Sequence, residues 1–181
     1  MSSSDPSVSA LAEKAKAAYQ RGDFDDAVEG FKSAREKYLQ ADDHLMAAEM
    51  GNNMSVALLQ ASLSDQALQA VKGTPQIFLE ADDKQRAAMA FGNLASALEA
   101  TGDLHAAEQN LQSAIELFEE MGDKENLMHS AKTLSQVQLR LGKPLEAVSS
   151  MQSGLAGQSR LSLKNRVLRS ILNIPSRIMG R

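Results

Sequence analysis

Ala27, Ala67, Ala107 and Ala147 stand 40 residues apart, and the rest of the chain falls into register with them. Gly22, Gly102 and Gly142 share a column that only Ser62 interrupts. Phe31, Val71, Leu111 and Met151 share another. Ala34, Thr74, Ala114 and Gly154 form a third, all small, and Asp42, Asp82 and Gly122 close the rows. A repeat at a fixed period in this range means that each unit cannot bury its apolar face alone and must stack on its neighbours. Such chains build extended surfaces, and extended surfaces bind.

The composition agrees with a helical stack. Aromatics are 4% of the chain and Trp is absent, which favours helices packed through small residues over a sheet sandwich. With no Cys there is neither a disulfide framework nor a thiolate site. The first residues are polar and lack a charged-then-apolar leader pattern. No apolar run approaches the ~20 residues needed to span a bilayer. The expectation is a soluble, cytoplasmic protein. The triplet Asn53-Met54-Ser55 matches a glycosylation acceptor, but it falls mid-helix without a secretion signal and is set aside.

Apolar residues recur at helical spacing between turn signals, which divides each row into two helices. Asp5-Pro6 reads as a helix start, with Asp5 capping and Pro6 in the first turn, and a helix runs to about Gln20. Asp23 is positioned to cap the next, from Phe24 to Gln40, and Asp43 the one after. Further helices are expected at 44–61, 65–80, 84–100, 104–120, 124–140 and 144–157, with Pro144 in the first turn of the last. The domain reading is an N-terminal segment over 1–7, hairpins over 8–43, 44–83, 84–123 and 124–157, and a basic segment over 158–181.

Gly22-Asp23-Phe24-Asp25-Asp26-Ala27 and Gly102-Asp103-Leu104-His105-Ala106-Ala107 lie at the turn inside a hairpin. Ala27, Phe31 and Ala34 follow the first, and Ala107, Leu111 and Ala114 the second. The small residues let two helices approach closely, and the large one fills the groove of the next. These stretches resemble the turn and second helix of the tetratricopeptide repeat. The 40-residue period, against the usual 34, resembles the longer repeats of kinesin light chain and LGN-type adaptors, as does Ala114-Ile115-Glu116-Leu117-Phe118-Glu119-Glu120-Met121-Gly122-Asp123. The resemblance covers about residues 8–157 and implies an all-α, right-handed solenoid of four helix hairpins. Row two departs most: Ser62-Leu63 replaces the glycine turn, and Pro75 predicts a kink or break in the second helix.

The resemblance also implies a ligand face, lined by the first helix of each hairpin. Carried onto this register, it holds Asn52, Asn53, Val56 and Leu59, then Gly92, Asn93, Ser96 and Glu99, then Lys132, Gln136 and Arg140. Asn53 and Asn93 share a column, and a carboxamide both donates and accepts, so it can hold a peptide backbone regardless of sequence. The alternative is that both merely satisfy polar groups of neighbouring helices. The Lys, Asn and Arg clamp of chaperone-binding repeats is mostly missing: row one offers Ala12 and Lys16, and row three no base. Lys132 and Arg140 either favour an acidic ligand or form a solvated helix face.

His44, His105 and His129 fall at different repeat positions, and no cluster has metal-ligand spacing. There is no phosphate-cradling glycine loop. No metal, cofactor or enzymatic activity is expected.

The charge is split along the chain. All 23 acidic residues precede Gln158, and six of the 19 basic ones follow it, so the first part carries −10 and the last +6. On a helical wheel Leu161, Leu163, Val167, Leu168, Ile171, Leu172 and Ile174 fall in one half, opposite polar and basic residues, with Lys164 as the one intruder. Three readings stand: a cap over the last hairpin, a membrane-surface helix using Lys164, Arg166 and Arg169 beside Leu168, Ile171 and Leu172, and a docking or dimer helix. Nucleic acid is not an expected partner, because the body is acidic and stacking aromatics are few. The leading expectation is an adaptor that binds a peptide segment of another protein on its concave face. The alternative is a membrane-peripheral or self-associating assembly factor acting through residues 158–181.

Overall fold

The computed structural model describes residues 7–155. Every regular element in them is a helix: α1 Val8–Arg21, α2 Phe24–Gln40, α3 His44–Gln60, α4 Ser64–Val71, α5 Thr74–Glu80, α6 Lys84–Thr101, α7 Leu104–Met121 and α8 Lys124–Arg140. Helical residues 144–155 form α9. Consecutive helices pack as hairpins, and the hairpins stack into a right-handed solenoid. The expected boundaries hold to within about two residues, except that the 65–80 helix is two helices.

The 40-residue period is a 20-residue period in the backbone. Gly22, Asp42, Ser62, Asp82, Gly102, Gly122 and Gly142 all have positive φ, between 56° and 92°. Each follows a helix and turns the chain by a left-handed residue, which is where glycine is cheapest. Ser62 adopts the same geometry as the glycines above and below it in its column, at φ 62°.

The next helix then starts on a cap. Asp43, Asp83, Asp103 and Asp123 each accept from the backbone N–H three residues on, at 3.0–3.1 Å, filling one of the donors a helix start leaves open. Asp23 departs from the expectation. It stands at the cap position of α2 but makes no capping bond, and its carboxylate takes the Arg21 guanidinium at 2.9 Å. At α1 the cap is Ser7, which accepts from the Ala10 N–H. α1 thus begins two residues later than the expected start at Asp5-Pro6, and those two residues lie outside the described ones.

The small columns are the core. Ala27, Ala67 and Ala107 are fully buried and Ala147 is nearly so. Ala34, Thr74, Ala114 and Gly154 are also buried. Size matters at Gly154, where an added Cβ would stand 2.7 Å from the Ala131 Cβ. Larger side chains fill the layers between hairpins, with Phe31 and Met50 in one cluster and Phe78 in another.

Candidate functional site

The first helices of the hairpins, α1, α3, α6 and α8, bear the expected ligand face, and polar bridges cross from α3 to α6 and from α6 to α8. Asn93 donates from Nδ2 to the Asn52 Oδ1 at 3.1 Å. Arg140 donates to Glu99 at 2.6 Å. Arg86 joins Glu49 at 3.0 Å and its own cap residue Asp83 at 2.6 Å. The three bridges to the next first helix span 41, 41 and 37 residues, because equivalent positions on stacked helices point the same way and facing partners come from different repeat positions.

Asn93 pairs with Asn52, which is buried, rather than standing over Asn53. Each of these two carboxamides therefore has a partner within the protein. Asn53 is different. It lines a cavity of about 170 Å³ with Val56, Phe31 and three α1 residues, Lys16, Tyr19 and Gln20. Of α1, the sequence pattern marks Ala12 and Lys16 alone, at the positions of a charge clamp. Lys16 bonds Glu13 at 3.0 Å, and that carboxylate holds its ammonium above the ordinary range.

Further along, Gly92 leaves open space where a side chain would stand, and the Ser96 hydroxyl donates to its carbonyl at 3.0 Å. Leu59 is partly buried against the Leu58 and Val71 cluster. Lys132 and Gln136 are exposed on α8. Glu99 and Arg140 form an ion pair, so Arg140 presents less charge to a ligand than its sequence position implies. Lys164, Arg166, Leu168, Arg169, Ile171 and Leu172 lie outside the described residues.

A second polar group ties the last two hairpins. Glu108 of α7 is buried and accepts from Gln138 at 3.1 Å and from Lys143 at 2.6 Å. The Lys143 bond chiefly holds its carboxyl below the ordinary range, against desolvation. Among the described residues no group of His, Cys, Asp and Glu is placed to hold a metal ion. No described helix is long and apolar enough to cross a membrane.

Residues 86–159 match the tetratricopeptide repeat family. No curated protein matches the sequence. Solved structures share the fold. BtubC (BKLC) from P. vanneervenii superposes with a TM-score of 0.76 at 16% identity, over 86% of this chain and 64% of that one. A kinesin light chain of Podosopora anserina with nearly identical TPR-like repeats gives 0.74 at 16% identity, over 84% of this chain and 75% of that one. The Rap conjugation gene regulator of plasmid pLS20, in complex with the Phr* peptide, gives 0.65 at 14% identity, over 81% of this chain and 41% of that one. The chain thus spans less than two thirds of BtubC and of the Rap regulator. The repeat fold is in general that of a non-catalytic protein–protein interaction scaffold.

Proposed function

We propose that this chain, a solenoid of tetratricopeptide repeats, is an adaptor that holds a peptide segment of a partner protein along the face of α1, α3, α6 and α8. The observation that carries the reading is the Asn53 cavity. It combines an unbridged carboxamide with the apolar surfaces of Val56, Tyr19 and Phe31, the mix of apolar wall and few polar groups that ligand sites use. Asn53, Val56, Gly92, Ser96, Lys132 and Gln136 are the contacts proposed for the peptide. Asn52 and Asn93, with Glu99 and Arg140, hold the helices that present them, and Leu59 backs the face. The Rap regulator with a bound peptide supports the reading by fold alone. Selection of a random linear peptide library on the full chain tests it. A recovered peptide should lose most of its affinity on Asn53→Ala, while one indifferent to Asn53 and Val56 substitutions would contradict it.

A second reading concerns residues 158–181. Leu145, Val148 and Leu155 of α9 are 82%, 56% and 54% exposed. Val148 stands in the column of Val28 and Leu68, which are partly buried against the hairpin that follows them. The last hairpin therefore presents a face that the earlier hairpins cover. Residues 158–181 are our proposed cover. Removing them should lower the melting temperature and promote aggregation. Unchanged stability together with salt-sensitive binding of the full chain to anionic vesicles would favour the membrane-surface role instead, and a loss of dimer on truncation the self-associating one.

A further inference from the structure

The seam between α2 and α4 holds a second groove, separate from the face proposed above. It encloses about 520 Å³ and is lined by Val28, Leu39, Met54 and Leu58, with Arg35 among them. In the repeat register the position of Arg35 is otherwise Pro75, Ile115 and Leu155. One cation thus stands in an apolar column.

Gly51 packs beside Arg35. A Cβ there would meet the Ala70 carbonyl oxygen at 2.7 Å, which lets α3 and α4 approach closely, and would stand in ordinary contact with the guanidinium carbon of Arg35 at 3.6 Å. One hairpin later the same position is Phe91, which packs on the Ala114 and Phe118 cluster. In the last seam it is Ala131, and Ile115 replaces the arginine. The last seam has a groove of about 470 Å³ whose charged residues are Glu116 and Glu119, so among the described seams the first is the one whose groove holds an arginine in the apolar column.

That charge is incompletely satisfied. The Arg35 Nε is buried and has no hydrogen-bond acceptor. Glu29, Glu36 and Asp65 stand around the groove, yet none accepts from Nε. Buried N–H groups almost always have a partner, so an orphan marks a place where one is missing. A small anion would satisfy Nε but leave the apolar floor wet. A carboxylate flanked by leucine-like side chains matches both features.

We propose that the α2–α4 seam docks an amphipathic helix of a partner protein, one carboxylate of which bonds Arg35 while its apolar neighbours cover Val28, Leu39, Met54 and Leu58. The groove runs along α2 from Val28 to Leu39, roughly 16 Å or three helical turns, and lies between two helices as helix-in-groove recognition requires. The rim carries Glu29, Glu36 and Asp65 against one lysine, Lys32, a net acidic edge that suits basic residues at the sides of the incoming helix.

The test uses the full chain, labelled with nitrogen-15, and observes the arginine Nε–Hε and backbone signals. The probe is a short capped alanine-based helix carrying leucines on one face, a glutamate among them and lysines at its edges. Its glutamine counterpart and acetate are the controls. Expected are shifts at Arg35 and along α2 and α4, and about tenfold or greater weakening for the glutamine peptide. Arg35→Met should bind the two peptides equally. Equal affinities of the unaltered chain for both peptides would overturn the proposal without recourse to any variant. So would no binding, shifts confined to α1 and α6, or an acetate response matching the peptide's.

Discussion

The second helix of the second hairpin is broken, and its counterpart in the third is whole. α4 stops at Val71 and α5 begins at Thr74, whereas α7 runs unbroken from Leu104 to Met121. They differ at Lys72-Gly73-Thr74-Pro75 against Gln112-Ser113-Ala114-Ile115. Pro75 has no N–H for the Val71 carbonyl, and the Thr74 hydroxyl donates to that carbonyl instead, at 2.9 Å. Gly73 takes φ 83° and turns the chain. Yet the flanking columns do not move: Ala67 and Ala107, Val71 and Leu111, and Phe78 and Phe118 are buried alike. Packing of small and large residues between helices holds the register, and helix continuity is expendable.

The largest expected effect breaks a column. Ala107→Leu forces volume into the fully buried contact and should cost about 1–3 kcal/mol, read by denaturant melts. Ala67→Leu should cost less, because the short α4 can shift where α7 cannot. Equal costs would mean that the break confers no local freedom.

Next is the break itself. Thr74→Val removes the donor to the buried Val71 carbonyl and should cost about 1–3 kcal/mol. Restoring the row-three sequence over positions 72–75 should cancel that loss and raise helicity by circular dichroism. A chimera that keeps the parent's helicity would show that the break is imposed by packing rather than by Gly73 and Pro75.

The asparagines extend the comparison to the ligand face. Asn93→Ala leaves buried Asn52 without its partner and should cost about 1 kcal/mol. Asn53→Ala, at the cavity, should leave the melting temperature nearly unchanged. If both are neutral, the Asn52–Asn93 bridge does not hold α3 to α6.

The smallest effect is electrostatic. Leu68 and Glu108 share a column, so the third seam uses an ion pair where the second uses apolar contact. The folded Glu108 carboxyl is held below its ordinary value, chiefly by Lys143. Its contribution is therefore present above the unfolded value of about 4.3 and is lost as pH falls through the folded one. We expect a loss of up to ~1 kcal/mol there, absent in Glu108→Leu. An identical acid profile for that variant would remove Glu108 from the account.

Much of this was legible in the sequence because each hairpin packs chiefly against its neighbours. The Ala27 column, the left-handed turns and the aspartate caps follow from contacts a few residues away or one period away. The break at Pro75 was legible from its missing N–H, though not the Thr74 hydroxyl that replaces it. What failed depends on how helices cross. Asn93 meets Asn52 because facing sides of neighbouring helices bring different repeat positions together, which a column of equivalent letters does not record. The Arg35 groove draws its lining from α2, α3 and α4, so no one residue signals it. Asp23 stands at the cap position but pairs with Arg21 across the turn.

Extended peptide segments are proposed to bind the first-helix face, a surface distinct from the second-helix groove at Arg35. Amide hydrogen exchange of the full chain, with and without the library-selected peptide, tests this most directly. The account predicts added protection in α1, α3 and α6 around Asn53 and Gly92, with α2 and α7 unchanged. Protection confined to the second helices, with the Asn53 region exchanging as before, would contradict it.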